Sequence, residues 1–165
     1  MQPPSPLFGE SRPQPIGRPM EVLLVEDSLV EARIAIGSLR NSGIEHRLTW
    51  VRDGHEAMRF LGHEAEFRQA PRADLVLLDL RLPGVDGQDV LHHIREHEDE
   101  RTREVAVVVM TASEDEADAD YSRQHDIQAY LHKPLDVAKF LTVVEELRGY
   151  WRDDMILPER ALAGA

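Results

Sequence analysis

Short aliphatic runs alternate along the chain with segments that are apolar on only one helical face. The runs are VLLV (22–25), LVLL (75–78) and VAVVV (105–109), and they are apolar at successive positions. Strands that are apolar on both faces are typical of a parallel sheet covered by helices on each side. The intervening segments have apolar residues three or four positions apart, as helices require. This alternation predicts an α/β fold, a doubly wound parallel sheet with helices on both faces.

The boundaries of the elements follow from capping signals and from turn residues. Ser28 with Glu31, and Asp53 with Glu56, have the spacing of a helix-starting capping box, while Gly43 supplies a helix stop. Two weaker strands, one half-exposed at 44–51 and one at 129–131, bring the predicted number of strands to five. The predicted helices are 28–43, 53–62, 86–97, 114–125 and 136–151.

Composition changes at both ends of this pattern. Residues 1–19 contain six of the ten prolines and no periodicity, so we expect a disordered tail. Residues 20–149 form the predicted domain. Residues 150–165 follow as a C-terminal tail rich in aromatic and aliphatic residues, a candidate dimerisation extension that could equally cover the core of its own chain. The stretch 62–74 is longer than the connection needs, and an extra helical turn is the simplest interpretation.

Charge and composition exclude several classes of function. A formal net charge of −12 argues against a nucleic-acid partner, because phosphate binding needs a basic surface. The absence of cysteine excludes disulfides and cysteine-based metal sites. The longest apolar runs are too short to cross a membrane, and the N-terminus lacks a secretory signal. We therefore expect a cytoplasmic protein.

Chemistry-bearing side chains follow four of the five predicted strands. Glu26 and Asp27 end the first strand, Asp79 the third, Thr111 the fourth and Lys133 the fifth. Strand ends of a parallel sheet meet at one edge, where ligands of this fold class bind. Three carboxylates gathered there would repel one another by roughly 4 kcal/mol per pair at about 4 Å. An all-oxygen site of this kind suits Mg²⁺.

The motifs VLLVEDS, LVLLDLRLPGVDG, VVVMTAS and AYLHKPLD, in this order, resemble the receiver domain of two-component response regulators. The resemblance covers about residues 20–148. It implies a flavodoxin-like five-stranded parallel sheet in the order 2-1-3-4-5. It also implies a protein that accepts a phosphoryl group from a sensor histidine kinase in a Mg²⁺-dependent reaction. The chain would then switch conformation to signal to a protein partner, catalysing only its own phosphorylation and dephosphorylation.

The resemblance also implies roles for individual residues. Asp79 is the expected phosphoacceptor, and Lys133 the cation that pairs with the phosphoryl group. The Lys133-Pro134 bond is implied to be cis. The implied Mg²⁺ ligands are Glu26, Asp27, Asp79 and the main-chain carbonyl of Arg81. The implied switch residues are Thr111, which also serves catalysis, and Tyr130, whose ring changes rotamer. Glu26 stands where Asp is more frequent, and the effect of the Arg81 side chain on phosphoryl lifetime stays open.

The long connection at 62–74 and the tail YWRDDMILP resemble single-domain regulators that accompany phytochrome-type sensor kinases. This likeness implies a homodimer formed through the last strand, the last helix and the tail. Two other functions are alternatives for this pattern of residues. A receiver-like module could bind its partner without phosphorylation. An aspartyl-phosphate hydrolase of the haloacid-dehalogenase kind needs a second acid two residues after the nucleophile, where this chain has Arg81. The histidines His92, His93 and His97 are interpreted as a solvated helix face.

Overall fold

A computed structural model describes residues 17–112, 127–151 and 155–157. The strands are β1 (Met20–Val25), β2 (His46–Val51), β3 (Leu75–Asp79), β4 (Ala106–Thr111) and β5 (Ala129–His132). They form one parallel sheet in the order β2-β1-β3-β4-β5, which confirms the predicted topology. All residues of β3 and β4 are buried, because the two central strands are covered on both faces.

The described helices are α1 (Leu29–Asn41), α2 (Gly54–Leu61), α3 (Gly87–Arg95), α4 (Glu100–Arg103) and α5 (Val137–Leu147). They begin where the capping signals indicate. Ser28 caps α1, Asp53 caps α2 and Asp86 forms a capping box with Asp89 at α3. The predicted helix at 114–125 lies outside the described residues. The four-residue helix α4 was not predicted, since a single turn has no measurable periodicity.

Two apolar layers hold the sheet between the helices. On one face α1 and α5 cover alternate residues of the strands, and Phe140 of α5 is fully buried there. On the other face α2 and α3 do the same, with Val90 and Ile94 of α3 fully buried. The connection after α2 contains one 3-10 turn, Ala65–Phe67, which confirms the extra helical turn expected there. Among the described residues, none of the helices combines the length and the apolarity needed to cross a membrane.

The described part of the C-terminal tail packs on its own chain at the amino ends of the strands. Met155 is buried and pairs with Arg18 in an isolated parallel bridge. The indole of Trp151 donates a hydrogen bond to the carbonyl of Asp74 at 2.9 Å. Arg18 makes a two-pronged ion pair with the Asp74 carboxylate, at 2.7 and 2.8 Å. These contacts show that this part of the tail covers the core of its own chain. Residues 1–16, 152–154 and 158–165 lie outside the described residues.

Candidate functional site

Three carboxylates meet at the carboxyl edge of the sheet, as the strand ends predicted. Glu26, Asp27 and Asp79 each place a carboxylate oxygen within 4.8 Å of the others. Glu26 is 1% exposed and Asp79 4% exposed, whereas Asp27 is more open to solvent. Within the described residues, this is the one cluster of three or more potential metal-ligating groups. Two buried acids and one accessible acid therefore concentrate negative charge at this edge of the sheet.

Asp79 is held from both sides of its carboxylate. Oδ1 accepts a hydrogen bond from the backbone N–H of Arg81 at 2.9 Å, and Oδ2 faces the ammonium of Lys133 at 3.1 Å. The backbone behind Asp79 is packed against Gly87, the first residue of α3. A Cβ at Gly87 would lie 2.2 Å from the Asp79 carbonyl oxygen, so only glycine fits there. Asp79 is thus rigidly mounted, as its position at the end of a doubly covered strand requires.

Glu26 is fixed by backbone and side-chain hydrogen bonds. Its Oε1 accepts the N–H of Ser28 at 3.1 Å, and its backbone carbonyl accepts the indole N–H of Trp50 at 2.7 Å. Burial raises the pKa of the Glu26 carboxyl. The hydrogen bond from Lys133 opposes this rise, and the neighbouring charge of Asp79 adds to it. Burial and Asp79 therefore destabilise the ionised form of Glu26, and a nearby cation offsets part of this cost.

Lys133 supplies that cation. Its Nζ lies 2.5 Å from Glu26 Oε2 and 3.1 Å from Asp79 Oδ2, and its side chain is 8% exposed. Burial lowers the pKa of Lys133, but hydrogen bonds and charge from Glu26 and Asp79 outweigh this effect and leave the pKa raised. The following Lys133-Pro134 bond is cis, as expected. The backbone N–H of Lys133 also bonds the carbonyl of Thr111 at 2.9 Å, which ties the ends of β4 and β5 together.

The remaining predicted residues lie on β4, on β5 and in the segment after β3. Thr111 is completely buried at the end of β4. Tyr130 lies on β5, packed against the apolar layer that α2 and α3 cover. The Arg81 backbone reaches Asp79 through its N–H. The sequence indicated Ser28 only as a helix cap and did not reveal that its backbone N–H and the Trp50 indole hold Glu26.

The two histidines of α3 and His97, which follows the helix, do not form a uniformly solvated face. His92 is exposed, but His93 is partly covered and its ring contacts that of His97 with centroids 5.7 Å apart. Burial lowers the pKa of His93, and the neighbouring His97 lowers it further. The i, i+4 pair has no third ligand within reach in the described part of the chain, so no metal site is built on it.

Four features together define the receiver class of α/β protein. They are a buried acid at the end of β3, two acids after β1, a hydroxyl at the end of β4 and a lysine before a cis proline. The sequence model of the protein family described as the response regulator receiver domain matches residues 22–145 of this chain. The chain therefore belongs to the response regulator receiver family.

Relatives of this chain are themselves regulators of about its length. Response regulator Rcp1 from Synechocystis sp. is 36% identical over 140 residues, which cover 85% of this chain and 94% of Rcp1. The probable methanogenesis regulatory protein FilR2 from Methanothrix harundinacea is 40% identical over 134 residues, covering 81% of this chain and 84% of FilR2. The likeness thus extends over most of each chain and is not confined to one motif.

Solved structures give the same result. The Mn²⁺-bound form of Rcp1 matches with a TM-score of 0.67 at 35% identity, covering 86% of this chain and 100% of that one. The bacteriophytochrome response regulator RtBRR matches with a TM-score of 0.72 at 30% identity, covering 87% and 85%. The phosphorylated cyanobacterial phytochrome response regulator RcpA matches with a TM-score of 0.68 at 34% identity, covering 86% and 99%. This chain is similar to phytochrome-associated regulators, among which are a metal-bound and a phosphorylated form.

Proposed function

We propose that this chain is a single-domain response regulator that accepts a phosphoryl group on Asp79 from a sensor histidine kinase. The observation that supports this most is the setting of Asp79, a buried carboxylate held between the Lys133 ammonium and two further acids. Transfer of a phosphoryl group to a carboxylate needs two charged groups: an accessible acid that can hold a metal ion, and a cation that can pair with a phosphoryl oxygen.

The donor set fits a hard divalent cation. Glu26, Asp27 and Asp79 offer carboxylate oxygens within 4.8 Å of one another, and Mg²⁺ prefers oxygen ligands. The Arg81 carbonyl, two residues after the acceptor, is proposed as the main-chain ligand. When bound, Mg²⁺ neutralises charge on the acids and on the incoming phosphoryl oxygens. The proposal is supported by the metal-bound form of Rcp1.

The transfer itself is an exchange of one phosphorus bond for another. The bond from phosphorus to the histidine nitrogen of the kinase breaks as an oxygen of Asp79 bonds to phosphorus, which leaves an acyl phosphate. The transition state is loose, so positioning and charge neutralisation do most of the work. Lys133 pairs with a phosphoryl oxygen, and Thr111 donates a hydrogen bond to another.

A conformational change then carries the signal. Movement of Thr111 toward the phosphoryl group frees space into which the ring of Tyr130 turns. Both residues lie on neighbouring strands at the site, which supports this coupling. The outcome is a local charge change that biases a two-state element and alters the surface offered to a protein partner. The chain is thus a signalling protein and acts only on its own acyl phosphate.

The proposed kinase is a phytochrome-type photoreceptor in the cytoplasm. Support comes from the bacteriophytochrome and phytochrome regulators that this chain resembles over most of its length.

Three aliphatic side chains are exposed on α1, the helix that begins two residues after Asp27. Leu29 is 45% exposed, Val30 67% and Ile34 39%. We propose this surface as the part of the chain that the kinase touches.

Incubation with Mg²⁺ and a small phosphodonor tests the proposal. We expect the intact mass to rise by one phosphoryl group. Chelation of the metal should slow the reaction by on the order of 100-fold, because charge neutralisation is worth several kcal/mol. The mass of the full chain, followed over time with and without the chelator, measures both. Equal rates in the two conditions would contradict the metal site.

We also propose that two copies of the chain pair through β5 and α5. In the described structure β5 pairs with β4 on one side, Leu141 of α5 is 37% exposed and Tyr150 is 49% exposed. Light scattering with size-exclusion chromatography should give twice the chain mass, and Leu141→Lys should halve it. Val30→Lys, which charges an exposed aliphatic site on α1, is the matched control and should stay dimeric. Monomers for the unmodified chain would defeat the pairing.

A further inference from the structure

Lys139 of α5 contacts the backbone on both sides of Lys133. Its ammonium donates hydrogen bonds to the carbonyl oxygen of His132 at 3.1 Å and to that of Pro134 at 3.0 Å. These two residues come directly before and after Lys133 in the chain. A charged donor makes stronger hydrogen bonds than a neutral one. One side chain therefore bridges the segment from which the lysine of the site projects.

The peptide group between His132 and Lys133 is held at both of its ends. Its N–H, which belongs to Lys133, donates a hydrogen bond to the carbonyl of Thr111 on β4 at 2.9 Å. Its carbonyl, which belongs to His132, accepts the hydrogen bond from Lys139. Because a peptide group is planar, these two bonds together fix the orientation of its plane. That plane in turn sets the direction in which the side chain of Lys133 leaves the backbone.

The segment that follows Lys133 is anchored as well. The hydroxyl of Ser38 on α1 donates a hydrogen bond to the carbonyl of Leu135 at 2.8 Å, and Leu135 is buried in the core. Asp136 then caps α5 and accepts the backbone N–H of Lys139 at 2.7 Å. The cap fixes the first turn of the helix that carries Lys139. Lys139 therefore reaches the backbone around Lys133 from a rigid base.

Lys133 depends on this anchoring because its ammonium lies at the end of a flexible four-carbon stem. Its Nζ lies 2.5 Å from Glu26 Oε2 and 3.1 Å from Asp79 Oδ2. A small rotation of the backbone moves an atom at the end of a long side chain further than it moves Cβ. Misplacement of a group in a site by about 1 Å can slow a reaction by on the order of 100-fold. The backbone at Lys133 is thus a sensitive point of the site.

We propose that Lys139 is a positioning residue for phosphoryl transfer, which holds the backbone around Lys133 and so keeps its ammonium at Asp79. The inference rests on the proposed function, in which Lys133 pairs with a phosphoryl oxygen. Lys139 acts through the carbonyls of His132 and Pro134. Removal of its ammonium should leave Lys133 charged but less well aimed.

The rate of transfer from a small phosphodonor to the full chain, with saturating Mg²⁺, measures this effect. Lys139→Met keeps the length of the side chain and removes its donors, so the rate should fall roughly tenfold. Lys139→Arg keeps the charge and offers N–H donors, and it should recover most of this loss. Thr142→Val is the matched control on α5. It removes a hydrogen bond to the carbonyl of Ala138, within the helix, and should leave the rate unchanged.

NMR of the lysine side chains tests the position of Lys133 without any phosphoryl group. The chain has two lysines, so lysine labelled with ¹⁵N at Nζ gives two signals, and the one that survives in Lys139→Arg belongs to Lys133. This signal should shift in Lys139→Met and keep its original position in Lys139→Arg. The shift should persist in about 1 M salt, where a Debye length of about 3 Å screens any direct effect of the lost charge.

Several outcomes would overturn the role of Lys139. They are an unshifted Lys133 signal in Lys139→Met, a shift that disappears in high salt, an unchanged rate of transfer in Lys139→Met, and no recovery of the rate in Lys139→Arg. Failure of the unmodified chain to accept a phosphoryl group would instead overturn the proposed function. The NMR comparison would then still decide whether Lys139 positions Lys133.

Discussion

We expect Asp79→Asn to abolish phosphoryl acceptance while the chain stays folded. An amide oxygen is a far weaker nucleophile than a carboxylate, so the rate of transfer should fall by on the order of 1,000-fold or more. The fold should survive, because the asparagine oxygen can still accept the Arg81 N–H that now bonds Oδ1 at 2.9 Å. The intact mass after incubation with Mg²⁺ and a small phosphodonor measures the first effect, and thermal unfolding measures the second.

Asp86→Asn is the matched control for this experiment. Asp86 lies seven residues further on and caps α3 through its side chain. Asparagine caps helices about as well as aspartate, so neither stability nor labelling should change. Labelling of both Asp79→Asn and the unmodified chain, or of neither, would show that Asp79 is not the acceptor. Peptide mapping would then locate the modified residue.

The sheet could be predicted because its strands are short and apolar on both faces. VLLV and LVLL cannot be half-exposed strands, and their burial in β1 and β3 confirms this. The acidic cluster followed from the same pattern, since parallel strands end at one edge. Glu26, Asp27 and Asp79 could be placed together without knowing a single distance. Strand order, the roles of individual residues and the cis bond came from the family resemblance.

Contacts between distant residues could not be predicted in this way. Arg18 and Asp74 are 56 positions apart, and neither has a periodic pattern or a motif that links them. Their ion pair brings the start of the described chain to the entry of β3, beside the bridge to Met155. The tail was open to two interpretations for the same reason. Aromatic and aliphatic residues indicate burial, but the sequence does not say against which surface.

The contact that Lys133 makes with Glu26 was not predicted from the sequence. The resemblance pairs this lysine with a phosphoryl oxygen, whereas here its Nζ is closest to Glu26. Three acids placed together need a positive charge at all times, and the buried ammonium is the nearest one. Lys133 thus has a second role, in stability, that its motif does not express.

Lys133→Met should lower the free energy of unfolding by about 3–5 kcal/mol, the usual cost of removing one partner from a buried ion pair. Methionine has a similar length, so the loss comes mainly from the charge. Glu26 and Asp79 would be left buried side by side, with side chains only 1% and 6% exposed. Chemical denaturation at neutral pH measures the effect. A loss within 1 kcal/mol would show that the ion pair contributes little.

Two further measurements separate charge from packing in Lys133→Met. Adding Glu26→Gln removes one of the two unpaired charges and should recover about half of the loss or more, since packing is nearly unchanged. Mg²⁺ should raise the thermal midpoint of Lys133→Met more than that of the unmodified chain, because the variant has no other cation at the acids. Phosphoryl acceptance should stay impaired in both variants even with saturating Mg²⁺, because the ammonium that pairs with the phosphoryl oxygen is missing. Full recovery of transfer by Mg²⁺ alone would mean that Lys133 serves only to hold the carboxylates together.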